Sequence, residues 1–447
     1  MSDVIARGGT LVMSGMPRVD IAIEDGKIQH IGPELPGSGA DEIDARGLHV
    51  FPGLIDAHLH FNEPGRTEWE GAETGSRALA AGGGTLYFDM PLNSTPCTVN
   101  AREFDRKCAA LAAASLTDFA LWGGLVPGNV GELAELAARG VVGFKAFLCD
   151  SGLPEFPRAD DLTLFEGLHE AARLGLPVAV HAESHELIQA LSRRMAEQGR
   201  SSVQDFLESR PVLAELEAIQ RATLLAAEAG AKLHIVHVSS GRGVALAAEA
   251  RARGVDVSIE TCPHYLFFTE DDVERLGAIA KCAPPLRDAH EQDALWEALL
   301  QGAVDIVASD HSPAPPEMKS ADFIRAWGGI AGVQSTLAVL LDRGYRGHAL
   351  PLERIASLTA SEPARRFRIA GKGSLSPGAD ADLALVDLSR SFKLNPEDLK
   401  QRHHSSPYVG SCFQGAVVRT IRRGESVFVA GKIVGRSRGT LVRPACT

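Results

Sequence analysis

Between about residues 52 and 372, short apolar runs alternate with stretches rich in Ala, Leu and Glu, the βαβα pattern of a parallel sheet covered by helices. Eight runs stand out: Leu54–His58, Thr85–Met90, Phe119–Leu125, Val141–Leu148, Pro177–His181, Lys232–Val238, Val257–Thr261 and Val304–Asp310. Helices are predicted between them. Pro211 opens one, in which Val212, Leu216 and Ile219 recur at helical spacing along a face fit to pack on the sheet. Eight strand–helix units over this span predict an α/β fold of the (β/α)8 TIM-barrel type. The structural rival is an open, doubly wound sheet. Its mark, a glycine-rich turn after a strand, is missing, because Gly82-Gly83-Gly84 precedes a strand.

The two ends carry strands without helices. Asp20–Ile23 followed by Asp25-Gly26-Lys27-Ile28 reads as a hairpin, and Val427–Val429 followed by Ala430-Gly431-Lys432-Ile433-Val434 repeats that form. Asp382–Asp387 reads as a further strand. The expected organisation is residues 1–51 and 373–447 joining in a small β-sandwich, with residues 52–372 as the barrel.

Composition narrows the function classes. The 447 residues are 45% hydrophobic and 23% charged, which excludes a disordered chain. With 45 Lys and Arg against 57 Asp and Glu, the net charge is −12, a field that repels phosphate backbones, so no nucleic-acid partner is expected. No apolar stretch approaches the roughly 18 residues of a membrane span. The N-terminal MSDVIARGGTLVMSG lacks the basic-then-apolar form of a secretory signal. Seven cysteines, spread from Cys97 to Cys446 with no CxxC pair, build neither a disulfide nor a zinc-finger framework. The expectation is a cytoplasmic protein.

The polar residues fall at strand ends, which in a barrel open together on one face. Strand one runs into His58 and His60, strand four holds Lys145, strands five and six end at His181 and His237, strand seven reaches His264, and strand eight ends at Asp310-His311. Residues two apart on a strand share a face, so His58 and His60 can bind one ion. Any one of these histidines could be a hydrogen-bonded structural residue. Four of them at strand ends beside a carboxylate favour metal binding. Lys145 is then awkward, since an ammonium repels dications. An ion pair with Asp310 or Asp89, a pKa depressed by burial, or conversion to a carbamate by carbon dioxide would each resolve the conflict. The carbamate, with Asp310 and one hydroxide, would nearly balance two dications.

These residues, within Pro52–His60 (PGLIDAHLH), resemble the amidohydrolase superfamily in its cyclic-amidase branch. Four longer strings, Glu63–Gly71 (EPGRTEWEG), Asp89–Ser94 (DMPLNS), Ser151–Pro157 (SGLPEFP) and Ser309–Pro313 (SDHSP), are similar to those of the allantoinase family. The resemblance implies an active hydrolase with two divalent ions, zinc by preference, with cobalt, iron or manganese possible. His58 and His60 would hold one ion and His181 and His237 the other. A carbamylated Lys145 would bridge them, and Asp310 would join the first site and shuttle a proton. It implies hydrolysis of a small neutral cyclic ureide, allantoin to allantoate, by a homotetramer. Hydantoinase, dihydropyrimidinase or dihydroorotase activity is the alternative within the branch, and a metal-free assembly protein is the alternative outside it. Dihydroorotases typically place an Arg two residues after the second histidine to grip a carboxylate; here that residue is Asn62, suited to a neutral ureide. Arg66, Asn93, the backbone at Ala283, and Ser312 are the further expected substrate contacts. Arg66 could equally pair with Glu68 or Glu70. His264 is expected either to support a ligand from behind or to be structural, and Cys149 and Cys282 to be structural.

Overall fold

The computed structural model describes residues 3–13, 16–37, 41–320 and 322–445, so Cys446 and parts of the N-terminal segment read above lie outside the described residues. Leu54–Leu59, Gly84–Asp89 and Asp118–Leu121 form a three-stranded parallel sheet. Gly123–Gly124, Phe144–Phe147, Val178–His181, Leu233–Ile235, Val257–Thr261 and Ile306–Val307 form a second, six-stranded parallel sheet. Only Trp122 separates Leu121 from Gly123, so the third strand belongs to both. On the other side Leu59 bridges in parallel to His311, and the His60 N–H donates to the His311 carbonyl at 2.8 Å. The two sheets thus close into an eight-stranded barrel, and each apolar run of the sequence overlaps one of its strands. Burial on both faces explains why these strands read as continuous apolar runs rather than as an alternation.

The helix after strand five differs in detail from the sequence reading. It spans Val212–Ala229 with Pro211 as its cap, and its barrel-facing side is Ala214, Ala218, Ile219, Ala222 and Ala226. Val212 and Leu216 are only partly buried. The cause is size: alanines four apart let the helix axis approach the strands closely, and the bulkier residues are displaced to the flank.

Strands from both termini form one nine-stranded sheet. Its join is antiparallel, from Leu383 opposite Pro52 to Val386 opposite His49. Both sequence-predicted hairpins are present, Val19–Glu24 with Lys27–Gly32 and Glu425–Val429 with Lys432–Ile433. Asp25 and Gly26 take φ of 50° and 72°, and Ala430 and Gly431 take 46° and 86°, the left-handed pair of a two-residue hairpin turn. A core of Ile21, Ile23, Ile28, Val50, Leu383, Leu385 and Ile421 fills the sheet's inner face. Sheet and barrel are tied by the buried Lys372, whose ammonium lies 2.8 Å from Asp118 on strand three, 2.6 Å from Asp382 and 3.0 Å from Asp380. Among the described residues six cysteines are free, and no helix is long and apolar enough to cross a membrane.

Candidate metal centre

Strands one, four, five, six and eight bring their polar ends to a single cavity of about 1030 Å³. His58, His60, His181, His237 and Asp310 line it, and Lys145 lies fully buried beside them. The four imidazoles form a row: ring centroids are 5.6 Å apart from His60 to His58, 5.3 Å from His58 to His237 and 4.6 Å from His237 to His181. Asp310 Oδ1 lies 3.3 Å from His58 Nε2 and 3.5 Å from His60 Nε2. His237 and Asp310 both have φ of 42°, a left-handed conformation that non-glycine residues adopt at a cost, and one found where a functional constraint holds them.

The electrostatics fit a cation. Burial, the largest influence, lowers the pKa of His60 to about 4 and that of His237 well below the ordinary value, so these rings are neutral at pH 7 and present lone pairs. Burial also pushes the Asp310 carboxyl up, but His58 and His60 beside it outweigh that and keep it ionised. Atoms of His58, His237 and Asp310 lie within 4.8 Å of one another, close enough to share an ion. A second such group is Cys149, His181 and Glu183, but there Glu183 is engaged by His181 Nε2 at 2.7 Å and by the Arg210 guanidinium.

Lys145 is the anomaly that the sequence foresaw. Of its two suggested partners, Asp89 is taken by Lys107 at 3.1 Å and Asp310 faces the histidines. Lys145 Nζ has no hydrogen-bond partner and rests 4.8 Å from the centre of the Phe147 ring, which stacks on His181. Burial first of all lowers its pKa to about 7, against the pull of Asp310 and Glu260.

A supporting layer escaped the sequence reading. Glu260 on strand seven accepts from His58 Nδ1–H at 2.8 Å, His234 Nε2–H at 3.2 Å and the His237 N–H at 3.2 Å. Glu183 does the same for His181. Each carboxylate fixes a proton on the outward ring nitrogen and so frees the inward one as a ligand. Glu260 was detectable as a charged residue in the otherwise uncharged run Val257–Thr261, and Glu183 lies two residues after His181.

The expected substrate contacts are divided. Asn93, Ala283 and Ser312 line the cavity, with Asn93 Nδ2 donating to Ser312 Oγ at 3.3 Å. Asn62 lies behind the wall with its amide 3.4 Å from the Pro313 carbonyl. Arg66 also lies outside the lining. Its guanidinium donates to the Asn93 carbonyl at 3.1 Å, pairs with Glu155 at 2.7 Å rather than with Glu68 or Glu70, and covers the Trp69 ring. His264, Cys149 and Cys282 are buried.

Residues 49–427 match the amidohydrolase family, and the chain belongs to that family. An allantoinase of Solibacter usitatus is 66% identical over 99% of this chain and 97% of its own length. One from Rubrobacter xylanophilus is 59% identical over 99% and 98%. The solved L-hydantoinase of Arthrobacter aurescens superposes with a TM-score of 0.96 at 37% identity, covering 99% of this chain and all of that one.

Proposed function

We propose that the chain hydrolyses allantoin to allantoate at a centre of two divalent ions. The observation that carries this reading is Lys145 Nζ, buried without an acceptor among four imidazoles and a carboxylate. An ammonium left so is costly. A neutral amine, available because the pKa is near 7, can form an N–C bond to carbon dioxide and release one proton to solvent, and the resulting carbamate would offer cations two oxygens in place of an ammonium. His58, His60 and Asp310 would hold one ion and His181 and His237 the other, with Lys145, as its carbamate, available to both. Imidazole, carboxylate and carbamate accept zinc, cobalt, iron or manganese, with zinc preferred.

Bound dications would polarise the ring carbonyl and bring the pKa of a water near neutrality. Asp310, held ionised, accepts the proton of the attacking water and passes it to the departing ring nitrogen. Glu260 and Glu183 keep His58 and His181 in the tautomer that faces the cavity. Asn93, Ala283 and Ser312 border the space for the ring, while Arg66 supports Asn93 from behind and Asn62 supports the wall at Pro313. Two allantoinases at 66% and 59% identity support allantoin, and the superposition on an L-hydantoinase supports hydantoin as the second reading. The free cysteines support a reducing, cytoplasmic setting. The homotetramer rests on the sequence resemblance and is checked by light scattering.

The test is turnover of allantoin, hydantoin, dihydrouracil and dihydroorotate by protein grown with bicarbonate and a metal supplement, with metal content measured alongside. Allantoin should lead the panel, with about two ions per chain. Turnover led by another ring would replace the substrate, and metal-free protein with full activity would remove the centre.

A further inference from the structure

Lys281 is a second buried lysine beside the cavity that the chemistry above does not use. It is 6% exposed, and among the described residues no carboxylate pairs with its ammonium. Instead Nζ donates to three backbone carbonyls of one short segment: Phe323 at 2.6 Å, Ile324 at 3.0 Å and Ala326 at 2.7 Å. Its ammonium also lies over the rings of Phe206 and Phe323, at 4.8 and 5.2 Å. In the other direction, the Lys281 carbonyl accepts the Gly329 N–H at 2.7 Å. One residue therefore grips Asp322–Gly329 at both ends.

That segment follows strand eight and has no regular secondary structure of its own. Ile324, Trp327 and Gly328 nevertheless line the same cavity as His58 and Asp310. A loop lining a binding cavity loses conformational freedom only if something outside it holds it. A carboxylate partner would have immobilised the lysine alone; three carbonyls make the lysine immobilise the loop. Ala283, two residues beyond Lys281, lines the same cavity. Lys319 Nζ holds the far end of the segment, at the Trp327 and Gly329 carbonyls, so Lys281 is what ties its near end, Phe323–Ala326, to the stretch that carries Ala283.

We propose that Lys281 is a positioning residue that fixes Asp322–Gly329 beside Ala283 as a wall of the cavity, and so governs binding of the neutral ureido arm that allantoin carries on its hydantoin ring rather than reaction at the ring amide. The identity of that arm rests on the cyclic-ureide reading; the clamp itself does not.

The test uses full-length, metal-loaded wild type, Lys281→Met and Lys281→Arg, with metal content confirming an intact centre in each. Arg325 projects from the segment with its side chain 86% exposed, so trypsin cleavage after it reports release of the loop without reference to activity. Cleavage in Lys281→Met should accelerate about fivefold or more, with Lys281→Arg nearer to wild type. The KM for allantoin should rise about tenfold with kcat within about threefold, while the KM for hydantoin, which lacks the arm, should move less than about twofold. Unchanged cleavage and unchanged KM in Lys281→Met overturn the proposal. An equal rise in KM for both rings overturns the arm assignment. Faster cleavage in a protein that does not turn over allantoin supports the clamp and rejects the cyclic-ureide reading. If Lys281→Met does not fold, Lys281→Gln, which can serve at most two of the three carbonyls, should show an intermediate gain in cleavage, and wild-type cleavage there overturns the proposal.

Discussion

Glu260 offers the most direct test of how the barrel prepares its histidines. It is fully buried, and although burial pushes its pKa up, His58 and His234 outweigh that and bring it to about 2. One oxygen serves His58 Nδ1–H and the His237 N–H, and the other serves His234 Nε2–H. Glu260→Gln can keep its oxygen on the first pair and turn its amide toward His234. That ring can adapt, because its Nδ1 lies 2.8 Å from Ser258 Oγ, which can accept a relocated proton. The substitution then removes charge rather than bonds. Hydrogen bonds to charged groups are worth about 1.5–3 kcal/mol against about 0.5–1.5 for neutral ones, so two weakened bonds cost about 2 kcal/mol. Loss of an outer partner commonly lowers metal affinity 10–100-fold, or about 1.4–2.8 kcal/mol, which is the same size. Glu260→Ala is harsher, since three buried donors lose their acceptor at about 1–3 kcal/mol each. Chelator competition should show affinity falling in the order wild type, Glu260→Gln, Glu260→Ala, with thermal unfolding following that order. Metal binding within about twofold of wild type in both variants would refute the idea that this carboxylate orients the ligands.

Three further outcomes follow from the same geometry. Lys145→Met should abolish turnover and reduce bound metal, while leaving the thermal stability of metal-free protein at or above wild type, because a buried donor without an acceptor is removed; retained activity contradicts the bridging role. Burial raises the Glu183 carboxyl, but Arg210 and then His181 outweigh it and hold the pKa at about 2 against an ordinary 4.5. A depressed carboxylate contributes stability that is present above pH 4.5 and lost as pH falls toward 2, here about 3 kcal/mol, so Glu183→Gln should be less stable in urea at pH 7 yet lose less on acidification to pH 3. An unchanged acid limb counts against the linkage. Lys372→Met leaves buried Asp382 without a cation where barrel meets sheet, and leaves Asp118 to Arg423 and Asp380 to Lys27, so it should cost about 3–5 kcal/mol in urea unfolding; a loss below about 1 kcal/mol would show that the junction does not depend on this cluster.

The barrel was legible because its strands are buried on both faces and set off by glycine and proline, a signal strong in one dimension. His58 and His60 were legible for a related reason: spacing of two on a strand fixes their common face before any fold is known. What the chain order hid were partners brought by closure of the barrel. Glu260 reaches His58 from 202 residues away, and Arg210 reaches Glu183 from 27. Nearness in sequence also misled. Asn62 follows His60 by two, but the strand has ended, and a φ of 62° turns the chain so that its amide meets Pro313 behind the wall. Arg66 was left between a substrate contact and an ion pair with Glu68 or Glu70; its guanidinium meets Asn93, Glu155 and Trp69, so it joins three loops of the rim.

The displacement of Asn62 alters the reason for preferring a neutral ring without altering the preference. The argument from sequence was that an amide at position 62 cannot offset a carboxylate, yet that amide does not line the cavity. The discrimination falls to cations that do. Arg210 is bound to Glu183, Arg200 to Asp205 and Glu208, Arg325 to Asp322, and Lys281 to three carbonyls. Among the described residues lining the cavity, Arg193 alone among the Lys and Arg side chains has no such partner, and it is exposed on the helix His185–Glu197. A ring carboxylate entering this wall would lose water and find each buried cation already engaged, forgoing a charged hydrogen bond worth about 1.5–3 kcal/mol. That is roughly 10–100-fold against dihydroorotate relative to a neutral ring of similar size. The ratio of kcat/KM for hydantoin to that for dihydroorotate measures it, and a ratio near one would mean that a cation is released from its protein partner when substrate binds.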